Sequence, residues 1–390
     1  MELVLDADGL IAQAHEATGL GDFGEDGWRE GLDRLIAAQR EEARLNDIGV
    51  MIAAGESLMY LANRLGIVEE ARAHPAIAAA DVTPPIVVMG QARTGTTILH
   101  DLLAQDPASR VPLTWEVDKP CPPPETATYE TDPRIDEVQA QINASEMLIP
   151  GFLSMHPIGA RLAQECVRIT GGAFRSMIFP TVYHVPSYAK WLLYEADMAP
   201  AYRWHRTFLR HLQSRHPAQR WVLKSPGHIW ALGDLLGEYP NALLVQTHRD
   251  PLRIIASISS LIALLRRLAS DESSIVEAAS EFADYVIEGN DRSASARESG
   301  AVPAERIVDV YFSDFMADPF RTIRGIYDRL GFELSGDALA RMQRFLAENP
   351  ADRHGGHRYA FADTGLDAGE MRERSRRYQE YFGVESEDLT

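Results

Sequence analysis

Cysteine is nearly missing from this chain: its 390 residues include two, Cys121 and Cys166. A chain of that length buries enough apolar surface to hold together without covalent staples. A disulfide framework is therefore excluded, and a reducing compartment is expected. Long apolar runs are missing as well. None approaches the roughly 20 residues that a helix needs to cross a bilayer, which predicts no integral membrane segment. The N-terminal run MELVLDADGLIAQAHE has early acidic residues and no basic-then-apolar pattern, so no signal peptide is expected and the cytoplasm is the expected location. Positive charge is in deficit: 38 Lys and Arg against 57 Asp and Glu leave a net charge of −19. Such a surface repels phosphodiester backbones and anionic lipid, which argues against a nucleic-acid partner. An anionic small molecule is not excluded, because a few arginines and backbone amides suffice for a local positive pocket. Metal-ligand spacings of His, Cys and carboxylate are absent, so no metal is expected.

The first 80 or so residues carry apolar positions at helical spacing, such as Leu32, Leu35 and Ile36, then Leu58, Leu61 and Leu65. Pro84-Pro85 ends that pattern. A short β-branched run follows, Ile86 to Gly90, of the kind buried in a parallel sheet. A helix is predicted directly after it, with Ile98, Leu99, Leu102 and Leu103 on one face. Residues 112–135, rich in Pro, Thr and acidic side chains, predict a long loop. From about 136 to 218 the pattern is mostly helical. Further strands are predicted over Trp221 to Lys224, Ala242 to Arg249 and Arg306 to Tyr311, with a helix over Ile229 to Leu236. Strands alternating with helices point to an α/β fold with a doubly wound parallel sheet. Ligands in such sheets sit beyond the carboxyl ends of the strands, where Gly90, Lys224 and Arg249 fall.

Gly90 to Thr97, GQARTGTT, is a strand-to-helix turn with glycines five positions apart, the G-x-x-x-x-G spacing of phosphate-binding loops. Glycines let the backbone fold tightly and turn successive N–H groups inward, and the following helix adds unpaired amides and its positive end. Thr96 and Thr97 contribute hydroxyls. A nucleotide-hydrolysing loop has lysine after the second glycine; here Thr96 stands there and the cation is Arg93, inside the loop. Magnesium-assisted chemistry on a triphosphate is disfavoured, while phosphate or sulfate binding is retained. A second anion site is predicted in THRDPLRIIASISS. Asp250 suits an N-cap and Pro251 the first helical position. Ser257 lies eight residues after Arg249, slightly over two turns on, so both can face one side.

PPIVVMGQARTGTTILHDLLAQDP resembles the 5′-phosphosulfate loop of the sulfotransferase superfamily, in the bacterial branch related to tyrosylprotein and heparan sulfotransferases. The resemblance runs from about Pro84 to about Phe382. It implies a P-loop-type parallel sheet flanked by helices over 83–390, with a helical N-terminal extension over 1–82 and helical insertions at about 136–218 that form the acceptor site. The extension would cover the acceptor cleft or form a homodimer contact. The implied donor is PAPS (3′-phosphoadenosine-5′-phosphosulfate), with Gly90, Arg93, Thr94, Gly95, Thr96 and Thr97 at its 5′ end and Arg249 and Ser257 at its 3′-phosphate. The implied acceptor is a hydroxyl of a small molecule, lipid or carbohydrate.

Sulfuryl transfer needs a base for the acceptor hydroxyl and a cation for the leaving oxygen. The resemblance gives the cation to Lys224, in the segment KSP. For the base it implies Glu165, in RLAQECVRIT on a predicted helix, where bacterial relatives often carry two adjacent glutamates and this chain has Gln164-Glu165. His228, just after the lysine segment, and His156 are the alternatives. Arg353, His354 and His357, in a late loop, are candidates to reach the nucleotide. Phe152, Phe174, Phe179, Tyr183, Tyr188 and Trp191 either line an apolar acceptor pocket or form ordinary core. Two other readings stay open: a P-loop kinase or nucleotidase that uses ATP and magnesium, and a non-catalytic protein that binds the 3′,5′-bisphosphate product, PAP.

Overall fold

Ile86–Met89, the apolar run behind Pro84-Pro85, is a strand (β1) in which every residue is buried. The computed structural model describes residues 5–148, 158–349 and 359–389. Phe152, His156, Arg353, His354 and His357 lie outside them. Among the described residues four more strands complete the sheet: Ser109–Arg110 (β2), Arg220–Lys224 (β3), Leu243–His248 (β4) and Ile307–Tyr311 (β5). All pairings are parallel, in the order β2-β3-β1-β4-β5. Val88 of β1 is in register with Lys224 on one side and Val245 on the other. The chain leaves β1 for one flank of the sheet (β2, β3) and later takes up the other (β4, β5). The reversal therefore falls beside β1, where open α/β sheets bind ligands. The predicted α/β class with a parallel sheet flanked by helices is the class observed.

The chain forms two units. One consists of Pro84–Val111, Gln219–Ala263 and Ser274–Thr390 and holds the sheet. Within it the helix Thr96–Leu103 packs on β3 and on the helix Gly336–Glu348, and the helix Ile275–Glu298 packs on Ala368–Phe382. A buried polar belt ties the carboxyl end of β4 to these helices. Gln246 donates to Ser293 at 2.6 Å, and His248 bonds Tyr378 at 2.8 Å and Asp309 at 2.9 Å. Asp309 also takes two hydrogen bonds from Arg297; against burial, the bond with His248 and then those from Arg297 hold its carboxyl far below the usual range.

The other unit consists of Met1–Thr83, Pro112–Ala218 and Leu264–Ser273 and is helical. Residues 112–218 therefore share a unit with the N-terminal helices. Leu32, Leu35, Tyr60, Leu61 and Leu65 are packed into one apolar core with Phe174, Phe179, Tyr183, Tyr188 and Trp191. These five aromatic residues are therefore core.

Three local expectations change. Residues 112–135 are not structureless: they contain a helix, Thr114–Asp118, and a 3₁₀ turn, Tyr129–Thr131. The fully buried Glu116 organises them, accepting from the Leu113 N–H at 2.9 Å and from the Tyr129 hydroxyl at 3.0 Å. The helix predicted over Ile229 to Leu236 is split into a 3₁₀ turn, Pro226–Trp230, and a helix, Leu232–Glu238. Pro226 and Gly227 favour the tighter turn, and Ser225 caps it by accepting from the Gly227 N–H. Glu165 is not inside a helix; its backbone is extended and it immediately precedes Cys166–Gly171.

Candidate active site

The loop after β1 takes a path that few residues tolerate. Gly90 has φ +132°, and a Cβ there would sit 2.4 Å from the Thr247 hydroxyl oxygen and 2.6 Å from the Thr247 carbonyl oxygen. Gly95, at φ +87°, turns the chain into the helix Thr96–Leu103. Between them Arg93 holds φ +70°, a left-handed backbone that costs a non-glycine residue about 1–3 kcal/mol. The surroundings hold the loop in place. The Thr94 hydroxyl donates to the Gln91 carbonyl at 2.6 Å and lies 2.5 Å from the Thr247 hydroxyl, at the end of β4.

Because β1 and β4 are neighbours, the two predicted anion sites are in direct contact. Arg93 Nε donates to Ser257 Oγ at 2.9 Å, and an Arg249 Nη donates to the Arg93 carbonyl at 3.0 Å. Ser257 lies on the helix Pro251–Arg266, and Asp250 opens that helix by accepting from the Leu252 N–H at 2.9 Å. Burial and the like charge of Arg249 pull the Arg93 guanidinium below its ordinary pKa. Positive charge is thus concentrated at the ends of β1 and β4, inside a protein of strongly negative net charge.

Arg249 has a partner that the sequence did not disclose. Its Nε and one Nη donate to the two carboxylate oxygens of Glu387, at 2.9 and 3.0 Å, while its guanidinium lies 3.9 Å from the centre of the Phe312 ring. Burial opposes the charge on Arg249, but the hydrogen bond to Glu387 leads the interactions that raise its pKa above the ordinary value. Arg253, one helical turn before Ser257, has Nε 3.9 Å from the same carboxylate. Its spacing, four residues from both Arg249 and Ser257, was readable in the sequence.

Lys224 ends β3 on the other side of β1. It is 1% exposed, and its ammonium donates to the Thr97 hydroxyl at 3.2 Å, which ties the strand end to the loop. His228 follows in the 3₁₀ turn and is buried. A carboxylate that the sequence reading passed over stands near Lys224: Asp101, one turn after Thr97 on the same helix. Burial pushes the Asp101 carboxyl up to about 7, against the pull of Lys224.

That shift fixes a sign for the pH dependence of stability. Between its ordinary value of 3.8 and about 7, the folded chain keeps a proton on Asp101 that the unfolded chain has released, so stability falls as pH rises through that window. Asp101→Asn mimics the protonated form and removes the loss. The melting temperature of the variant should match wild type at about pH 4 and exceed it at about pH 8. An offset that is the same at both pH values would show that the site does not titrate this way.

Glu165 belongs to the helical unit. Its carbonyl accepts from the Arg168 N–H at 3.0 Å, and Arg168 bridges two partly buried carboxylates, Glu56 and Asp118, each at 3.0 Å. The Tyr183 hydroxyl also donates to Glu56 at 3.0 Å. Burial raises the Glu56 carboxyl even against the charge of Arg168.

Residues 84–336 match the profile of a sulfotransferase family. The chain belongs to the sulfotransferase family. This sulfotransferase is 25% identical over 273 residues to the omega-hydroxy-beta-dihydromenaquinone-9 sulfotransferase Stf3 of Mycobacterium bovis, covering 68% of this chain and 67% of that protein. The solved structure of sulfotransferase STF1 from Mycobacterium tuberculosis superposes with a TM-score of 0.85 at 32% identity, covering 96% of this chain and 99% of STF1. Sulfotransferase STF9 from Mycobacterium avium superposes with a TM-score of 0.89 at 30% identity, covering 98% of each chain. The likeness to STF1 and STF9 includes the N-terminal helices, which the family profile leaves out. Among the described residues, no helix is long and apolar enough to cross a membrane.

Proposed function

We propose that this sulfotransferase takes a sulfuryl group from PAPS and passes it to a hydroxyl of a lipid or other small-molecule acceptor. The observation that carries the reading is the joined pair of anion sites: Arg93 in the glycine loop bonds Ser257, and Arg249 bonds the Arg93 backbone. Two adjacent sites suit a nucleotide phosphorylated at both ends and give a linear triphosphate no advantage. Gly90, Gly95 and Thr94 shape the 5′ side, with Thr96 and Thr97 at the helix start; Arg249 and Ser257 serve the 3′-phosphate. In the reaction the acceptor oxygen bonds sulfur, the bond from sulfur to the 5′-phosphate oxygen breaks, and the hydroxyl proton passes to a base. Lys224, joined to Thr97, is the proposed cation for the leaving oxygen. Glu165 is the first choice for the base, then His228, then His156. The lipid-like acceptor is proposed from the printed activity of Stf3. The cytoplasm is the proposed setting, on the strength of two free thiols in a long chain.

Calorimetry decides the donor. PAP should bind at least tenfold tighter than ATP without magnesium, and Arg93→Ala and Arg249→Ala should each weaken PAP by about 10- to 100-fold, the worth of a charge-assisted hydrogen bond. Preference for ATP, or indifference to both substitutions, would overturn the reading in favour of a kinase or nucleotidase. PAP binding without transfer of labelled sulfate to any of a panel of phenols, sterols, lipids and sugars would favour a non-catalytic PAP-binding protein.

A further inference from the structure

The anion site at Arg249 already holds an anion supplied by the chain itself. A guanidinium recognises carboxylate and phosphate by the same geometry, two parallel N–H donors on one edge. On Arg249 that edge, Nε with one Nη, is given to the Glu387 carboxylate at 2.9 and 3.0 Å, and Arg253 approaches the same carboxylate at 3.9 Å. The remaining Nη bonds the Arg93 carbonyl and so holds the guanidinium against the glycine loop.

The backbone around Glu387 is fastened independently of its side chain. The Glu387 N–H donates to Asp250 Oδ2 at 2.6 Å, and Arg372 donates to that same oxygen at 2.7 Å. Farther along, the Phe361 N–H donates to the Leu389 carbonyl at 3.4 Å, and the Gln379 amide donates to the Val384 carbonyl and the Ser386 hydroxyl. The carboxylate can therefore leave Arg249 by side-chain rotation while the tail stays docked, and at 35% exposure it has a path to water.

Resting on the donor reading above, we propose that Glu387 is a built-in occupant of the 3′-phosphate site. Its carboxylate takes the edge of Arg249 that the phosphate would take, and the nucleotide must displace it to bind. Two consequences follow. The site is never an unpaired cation in the absence of nucleotide, which spares the fold a buried bare guanidinium. The displacement also belongs to the 3′-phosphate alone: a nucleotide lacking it leaves the Glu387 pair in place, whereas one that carries it replaces one charge-assisted pair with another.

The test compares wild type, Glu387→Gln and Glu387→Ala by calorimetry with PAP and with 5′-AMP, which lacks the 3′-phosphate. Both substitutions should tighten PAP by roughly 10- to 100-fold, the worth of one charge-assisted pair, and change 5′-AMP less than threefold. Unchanged or weaker PAP binding in both variants would overturn the proposal and make Glu387 a residue that merely orients Arg249. If wild type does not prefer PAP to 5′-AMP, the donor reading itself falls and takes this inference with it. That outcome is distinct from a wild type that prefers PAP and variants that gain nothing.

Discussion

Lys224→Met is expected to lower kcat by about 10²- to 10³-fold while leaving the dissociation constant of PAP within about threefold of wild type. Lys224 is the last residue of β3, adjacent to β1 in the sheet, and its ammonium bonds the hydroxyl of Thr97 at the start of the loop helix. In the proposed reaction a cation at this place would meet charge that grows on the bridging oxygen only as the sulfur–oxygen bond breaks. Its removal should therefore appear in the chemical step more than in ground-state binding. Methionine keeps the apolar stem that fills this buried place and removes only the charge. Single-turnover transfer of labelled sulfate, with calorimetry of PAP alongside, separates the two effects. A loss of PAP affinity equal to the loss of rate would make Lys224 a binding residue, and an unchanged rate would remove it from the chemistry.

Gly90→Ala should be the most damaging substitution in the loop. The added methyl would overlap Thr247 at 2.4 and 2.6 Å, and alanine is strained at φ +132°. The backbone strain alone costs about 1–3 kcal/mol, and forcing a methyl into a filled space adds about 1–3 kcal/mol more. Relief requires β1 and β4 to part or the loop to move, and the contact between the Thr94 and Thr247 hydroxyls opposes both. PAP affinity should fall at least 100-fold, with a clear drop in denaturation midpoint. If the variant binds PAP normally, the loop is not held by this contact and the tight turn has no part in the anion site.

The sheet and the glycine loop were legible because their signals are local. A buried β-branched run, a glycine pair at fixed spacing and a proline at a helix start each report on neighbours a few residues away. The strands predicted at 86, 221, 242 and 306 lie within a residue or so of those observed. β2 escaped because a two-residue strand has no period to detect. Glu387 escaped for a different reason. Its partner Arg249 is 138 positions away, and an acidic residue in an acidic tail looks like any solvated carboxylate until the chain folds back. Asp101 was hidden in plain view: it lies in the loop helix, but only burial and a strand-end lysine give it character. Glu165 shows the opposite failure. The segment read as helical begins its helix one residue later, at Cys166, because helix ends are set by capping and packing more than by composition.

The packing of Thr96 bears on anyone who would rebuild this site. It stands where an ATP-hydrolysing loop carries its lysine, and it is 3% exposed. A lysine grafted there would have to bury four methylenes and an ammonium where a threonine now fits, so the conversion cannot be made at that position alone. The close fit around Thr96, as well as the letters of the loop, thus stands against an ATP-hydrolysing arrangement. Retargeting the protein to another nucleotide would mean recutting the wall behind the loop first.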